Sequence, residues 1–135
     1  MNKRYSFEKL EIWDLALDLL KTIYHLARKL PKDESFVLAG QMKRAVISIA
    51  LNIAEGRAAD SDAEFRRYLG ISLKSLVEVI GCIKICLFLN FIKEKEAKDI
   101  LLLCDKIEAK IRSFRKTLHS TQRFWRKAFC LKRAA

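Results

Sequence analysis

The chain has 135 residues, with 27 Lys plus Arg against 16 Asp plus Glu and a formal net charge of +11. That length suits one domain, and four Gly with one Pro are too few for the turns of a sandwich, a barrel or a collagen-like chain. With 51% hydrophobic residues in periodic runs, the composition also excludes a disordered polymer.

The first predicted element runs from about Phe7 to Leu30. Leu10, Trp13, Leu17, Leu20, Tyr24 and Ala27 recur at spacings of three and four, which reads as one apolar stripe on a helix. Pro31 ends it, because a residue before proline is pushed out of helical geometry. The second element spans about Asp33 to Glu55, with Asp33 or Ser35 as its cap and Gly56 in the left-handed position beyond its end. The third starts at Ser61, which forms the pattern S-x-x-E with Glu64. It continues through Phe65, Leu69, Leu73, Leu76, Ile80, Ile83 and Leu87 to about Leu89, where Asn90 breaks it. The fourth runs from about Lys93 to at least Leu118, with Ile100, Leu103, Ile107, Ile111, Phe114 and Leu118 on its stripe.

Three short connections between long helices make neighbours antiparallel. The expected fold is therefore all-α: an antiparallel up-down-up-down four-helix bundle, roughly 35–40 Å long at 1.5 Å per residue. Residues 1–119 form the bundle domain in this reading, and 120–135 a basic, aromatic C-terminal tail.

The second helix carries an unusual pattern. Gln41, Arg44, Ser48, Asn52 and Glu55 share an arc of about 80° and form a polar stripe. Leu38, Met42, Ala45, Ile49 and Ile53 beside it are an ordinary core face. Phe36, Ile47, Ala50, Leu51 and Ala54 occupy the remaining sides, where Lys43 is the one charged residue. A helix apolar nearly all round is buried on more than one side. The expectation is a homo-oligomer with this helix at the interface, its polar stripe facing a subunit boundary or a shared channel. The alternative is a solvated stripe making local hydrogen bonds.

Charge is unevenly placed. Residues 109–135 hold nine basic and no acidic side chains, leaving the body nearly neutral. The nine are Lys110, Arg112, Arg115, Lys116, Arg123, Arg126, Lys127, Lys132 and Arg133. Within Arg123-Phe124-Trp125-Arg126-Lys127-Ala128-Phe129, cations alternate with rings. Cations neutralise phosphates, and rings such as Phe124 and Trp125 stack on unpaired bases at about 1–3 kcal/mol each. Two other readings stay open. Leu118, Thr121, Trp125 and Ala128 keep the helical rhythm, so the tail extends helix four; or the segment lies on anionic lipid or a partner protein. Arg57, Arg66 and Arg67 form a second basic cluster near the start of helix three, read as a local salt-bridge network with Asp60, Asp62 and Glu64.

Catalytic and metal chemistry find little support. There is no G-x-S-x-G, Walker loop, H-E-x-x-H or Cys-x-x-Cys. Cys82 and Cys86 share a helical face, but His25 and His119 show no ligand spacing to them. With Cys104 and Cys130 they read as structural thiols of a reducing compartment. No enzyme activity, cofactor, metal or small-molecule substrate is expected. The N-terminus has no apolar signal region. The longest charge-free run, Ala45–Ala54, has ten residues, against about 20 for a membrane span. A soluble, cytoplasmic protein is expected.

The run Arg44-Ala45-Val46-Ile47-Ser48-Ile49-Ala50-Leu51-Asn52-Ile53-Ala54-Glu55-Gly56 resembles the signature R-A-x-x-S-I-x-x-N-I-A-E-G of the bacterial 23S rRNA intervening-sequence proteins. Phe7, Leu10 and Trp13 are similar to that family's opening F-x-x-L-x-x-W. Pro31, Glu34, Leu38 and Gln41 are similar to its P-x-x-E-x-x-x-L-x-x-Q. Phe65, Leu69, Ser75 and Glu78 fit its third helix, and Asn90-Phe91-Ile92 stands where G-Y-[IL] is usual. The resemblance covers about Phe7–Leu118. It implies an antiparallel four-helix bundle assembled as a homopentamer, without enzyme activity. It also implies nucleic acid, RNA first, as a partner. Relatives include the accessory variability protein of diversity-generating retroelements, a basic pentamer that binds reverse transcriptase and nucleic acid. An adaptor docking such an enzyme is therefore the alternative function, and a bare structural oligomer a third. Two departures stand out: Lys74 replaces a usual glycine of the third helix, and the segment from Ser120 runs past the family core.

Overall fold

The structure, a computed structural model, describes residues 2–34 and 36–118. Four helices make up most of it: α1 (Glu11–Lys29), α2 (Leu38–Arg57), α3 (Asp62–Phe88) and α4 (Glu94–Thr117). Short 3₁₀ turns, Ser6–Lys9 and Lys32–Glu34, precede α1 and α2. No strand occurs among the described residues, and no helix there is long and apolar enough to cross a membrane. The all-α, four-helix expectation is met.

α1 buries a different stripe from the predicted one. Ile12, Leu15, Ala16, Leu19, Ile23, Leu26 and Ala27 enter the core. Of the predicted stripe, Ala27 alone is buried; Leu10, Trp13, Leu20 and Tyr24 are half-buried and Leu17 is exposed. The two stripes lie about 100° apart on one broad apolar arc, and both obey the spacing of three and four. Packing decides between them. Phe7 in the preceding turn sets its ring edge-on to Trp13, with centroids 4.7 Å apart, which gives the F-x-x-L-x-x-W spacing its physical content. Leu30 is extended, with ψ 151, ahead of Pro31.

α2 starts later than predicted. Asp33 sits in the 3₁₀ turn, Val37 precedes the helix without a side-chain cap, and Phe36 stays outside it, 91% exposed. Ser35 lies outside the described residues. The predicted core face of Leu38, Met42, Ala45, Ile49 and Ile53 is buried throughout. Gly56 corrects the sequence reading: it is a buried residue within the helix, and no glycine has a positive φ. Its role is close approach, since an added Cβ would lie 2.6 Å from Phe65 Cδ2 and 2.9 Å from Tyr68 Cβ. The α2–α3 contact pairs Gly56 with Phe65, Ile49 with Ser72 and Ser48 with Ser75, so residue numbers rise on one helix as they fall on the other.

α3 begins as predicted. Ser61 Oγ accepts from the Glu64 N–H at 3.2 Å. The helix ends at Asn90, which has φ 59. The Phe91 N–H bonds to the Cys86 carbonyl at 2.9 Å and the Asn90 N–H to that of Leu87 at 3.0 Å, a Schellman motif with Asn in the left-handed position. α4 buries Ala97, Ile100, Cys104, Ile107 and Ile111, with Leu103 at the margin. It stops at Thr117, and Leu118 is extended, with φ −85 and ψ 130. Thr121, Trp125 and Ala128, on which the reading of a longer helix four rests, lie outside the described residues. Salt bridges between Lys110 and Glu11 at 3.3 Å and between Lys29 and Glu96 at 3.2 Å tie α4 to α1.

Cys82, Cys86 and Cys104 are buried, so three of the four predicted structural cysteines are where that reading puts them. Burial, with help from Asp105, pushes the Cys104 thiol up to about 12. Burial, then Glu78, raises Cys82. Cys130 lies outside the described residues.

Candidate nucleic-acid interface

The basic residues nominated at the chain's end divide into two groups. Arg123, Phe124, Trp125, Arg126, Lys127, Lys132 and Arg133 lie outside the described residues. Lys110, Arg112, Arg115 and Lys116 occupy the last two turns of α4. A helix C-terminus suits cations, because its unpaired carbonyls carry partial negative charge.

These four are not equivalent. Lys110 pairs with Glu11, and Arg112 Nε donates to Glu108 Oε1 at 2.9 Å. Both pairs are largely exposed, and such pairs are worth little and are readily exchanged. Lys116 is exposed. Arg115 is half-buried against α3, where a Cβ added at Gly70 would lie 3.5 Å from its Nη2. Its Nε is buried without a hydrogen-bond partner among the described residues.

A residue outside the nominated group completes the cluster. Arg66, in the first turns of α3, donates from Nη1 to the carbonyl of Arg115 and, at 3.3 Å, to that of Leu118. It caps the end of α4. Arg67 does behave as predicted and pairs with Glu64 at 3.1 Å. Arg67 also lies over the Tyr68 ring, 4.6 Å from its centroid. Phe65 and Phe114 meet edge to face at 5.3 Å just below, which brings the start of α3 against the end of α4. Sequence spacing has no access to this convergence, because Arg66 and Arg115 are 49 positions apart.

The second nominated group is the polar stripe of α2. Ser48 and Asn52 are half-buried and bonded inside the chain. Ser48 Oγ lies 2.8 Å from Ser75 Oγ on α3, and Asn52 Nδ2 donates to the carbonyl and hydroxyl of Ser48 at 2.8 and 3.1 Å. Gln41, Arg44 and Glu55 are exposed. Arg44 folds back along its own helix, with Nη1 3.4 Å from a Cβ added at Gly40. Part of the helix's apolar girth is used within the chain, because α2 packs against both α1 and α3. Val46 and Ala50 are buried, and Lys43 Nζ sits 5.1 Å from the centroid of Tyr24 on α1. Leu51 remains 51% exposed.

A longer exposed apolar stripe is on α3, where the sequence reading did not look. Val77, Ile85 and Phe88 are 64%, 50% and 85% exposed. With Lys74 and Gly81 they follow spacings of 3, 4, 4 and 3, one helical face. That spacing was available in the sequence, but a buried stripe with the same period competed with it. Lys74 is exposed on this face, so no packing inside the chain needs the glycine usual there. His25 is exposed on α1, and no group of three or more possible metal ligands occurs among the described residues.

Residues 8–113 match the 23S rRNA-intervening sequence protein family. The structure is similar to the crystal structure of a protein of unknown function from the S23 ribosomal protein family of Bacteroides thetaiotaomicron VPI-5482. The TM-score is 0.73 and the identity 26%, covering 78% of this chain and 98% of that one. No curated protein matches the chain. Neither the family's description nor the neighbour's names an enzymatic activity.

Proposed function

Because this chain belongs to the family of 23S rRNA-intervening sequence proteins, we propose that it is a non-enzymatic, cytoplasmic bundle protein that self-assembles and binds nucleic acid, RNA first. Its helices are arranged up-down-up-down and antiparallel, and its subunits form a homopentamer in keeping with the family resemblance. Residues 1–119 supply the platform and 120–135 a basic arm.

The observation that carries this reading is the contact of Arg66 with the last turn of α4, beside Arg112, Arg115 and Lys116 and next to the start of the basic segment. Cations held together outnumber the carboxylates beside them, and a polyanion is the partner that relieves such a surface. Self-assembly draws on the exposed stripe of Val77, Ile85 and Phe88 together with Leu51. Several arms on one platform gain avidity of about 10²–10⁴ over one arm.

The alternative reading, an adaptor that docks a partner enzyme such as a reverse transcriptase, is favoured by the same α3 stripe, which suits a protein surface better than RNA. One experiment separates the two. Labelled single-stranded RNA is titrated by fluorescence anisotropy across a salt series, with the full chain and with a chain ending at Leu118. Light scattering follows the mass of both. The nucleic-acid reading expects binding that weakens steeply with salt and depends on the arm. RNA ignored by an oligomeric full chain gives the adaptor reading first place. A monomeric full chain overturns self-assembly.

A further inference from the structure

We propose that the outer face of α3 is a two-fold contact with a second copy of this chain, the two helices meeting antiparallel at Gly81. The proposal deepens the self-assembly reading and rests on it, by assigning a face and a symmetry to one contact between copies.

The argument starts from a palindrome. Lys74, Val77, Gly81, Ile85 and Phe88 share one exposed helical face. Their spacings of 3, 4, 4 and 3 read the same in both directions, with Gly81 at the centre. Glu78 and Lys84, also exposed, stand three residues to either side of that glycine. Residues equally far before and after the crossing point lie at the same height on two antiparallel helices, because the rise per residue is constant. Val77 therefore lies level with the partner's Ile85, Glu78 with the partner's Lys84, and Lys74 with the partner's Phe88. Apolar meets apolar, acid meets cation, and cation meets ring. A parallel pairing instead sets Glu78 level with the partner's Glu78 and Lys84 with the partner's Lys84, like charge against like.

Gly81 is the second observation. Glycine weakens a helix interior relative to alanine, and packing inside the described chain does not require it here, since an added Cβ meets no atom within 4 Å. Gly56 is the contrast, because the Phe65 ring fills the space of its missing Cβ. A bare backbone in the middle of an exposed apolar face lets another helix come close. The end of α3 is the third observation. Its last turn holds no basic residue, although a helix C-terminus favours cations, and the antiparallel pairing brings the partner's Lys74 to that turn. Val77, Ile85 and Phe88 of both copies leave water together. A match between α3 and its own inverted copy serves a second copy, whereas an unrelated protein or RNA has no use for it.

A two-fold contact closes on two copies. A ring of five uses other surfaces for its own contacts and meets a second ring through α3.

The test uses the full chain carrying Cys130→Ser, whose other cysteines, Cys82, Cys86 and Cys104, are buried. Gly81→Cys is added, the protein is oxidised with copper phenanthroline, and the products are separated by non-reducing electrophoresis. Two thiols at the crossing point fall within disulfide reach, so a covalent dimer is expected as the main product. Val77→Cys alone is expected to stay uncoupled, and Val77→Cys co-expressed with Ile85→Cys to couple. Sedimentation equilibrium follows the charges. Glu78→Lys is expected to weaken association by about tenfold, and Glu78→Lys with Lys84→Glu to restore it. Light scattering is expected to give an even number of copies.

An oligomeric chain whose Gly81→Cys variant yields no covalent dimer overturns the two-fold contact and leaves self-assembly on another surface. A monomeric full chain overturns both. Coupling of Val77→Cys with itself, or no recovery in the double charge exchange, overturns the antiparallel arrangement.

Discussion

Gly56 of α2 approaches Phe65 of α3 so closely that a Cβ on the glycine would lie 2.6 Å from the ring carbon Cδ2. The ring cannot yield easily, because it is buried and meets Phe114 edge to face. Alanine is favoured over glycine inside a helix by about 1 kcal/mol, so propensity alone predicts that Gly56→Ala stabilises. Overpacking wins here, at about 1–3 kcal/mol. Gly56→Ala is expected to lower the urea midpoint, and a raised midpoint would show that the two helices separate without cost.

Asn90 holds a left-handed backbone at the end of α3. A residue with an ordinary Cβ pays roughly 1–2 kcal/mol there, whereas glycine pays no steric cost. Asn90→Ala is expected to lose about that much stability, and Asn90→Gly to match or exceed the unmodified chain. Thermal melts of the pair check this, since equal effects of Ala and Gly would contradict the Schellman geometry.

The Ser48–Ser75 hydroxyl pair links α2 to α3 at 2.8 Å. Ser48→Ala and Ser75→Ala should each cost about 1 kcal/mol. Ser48→Ala carries the further loss of the Asn52 bond to that hydroxyl. A double-mutant cycle should show coupling of about 0.5–1 kcal/mol. Strict additivity in the denaturation free energies would mean that the hydroxyls do not bond.

Cys104 supplies a pH dependence. Its folded-state thiol is pushed from the ordinary 9.0 to about 12 by burial, then by Asp105. The fold therefore prefers the neutral thiol. Its contribution is complete below about pH 9 and is lost as pH rises through the folded value. Cys104→Ala removes this titration and leaves a small cavity. The stability advantage of the unmodified chain over Cys104→Ala should shrink between about pH 8 and about pH 10.5 in urea unfolding. A constant advantage would place the thiol in water.

Some of the candidate site was legible before folding. Lys110, Arg112, Arg115 and Lys116 stand out because no acid follows Glu108. For Arg66 the sequence offered only its acidic neighbours, whereas the carbonyls at the end of α4, its partners in space, are 49 and 52 positions away. Ser48 and Asn52 were visible as a stripe, but whether a stripe faces water, a partner or a sister helix depends on what packs beside it. Ser75 was legible only through the family resemblance, and Ser72 gave no signal, because a single serine on an apolar helix carries no period.

Local chemistry was sufficient where a residue acts on its own backbone. Ser61 caps α3, Asn90 ends it, and Pro31 stops α1. Apolar periodicity was enough for four helices and the all-α class, because spacings of three and four have one geometric meaning. Tertiary structure decided what that periodicity leaves degenerate. It chose which side of α1's broad apolar arc is core, and it turned Gly56 from a presumed helix stop into a point of helix contact. It also left Val77, Ile85 and Phe88 outside and set Arg66 against Arg115. Each of these depends on which surface a helix meets, and that is a property of the assembled bundle rather than of any one segment.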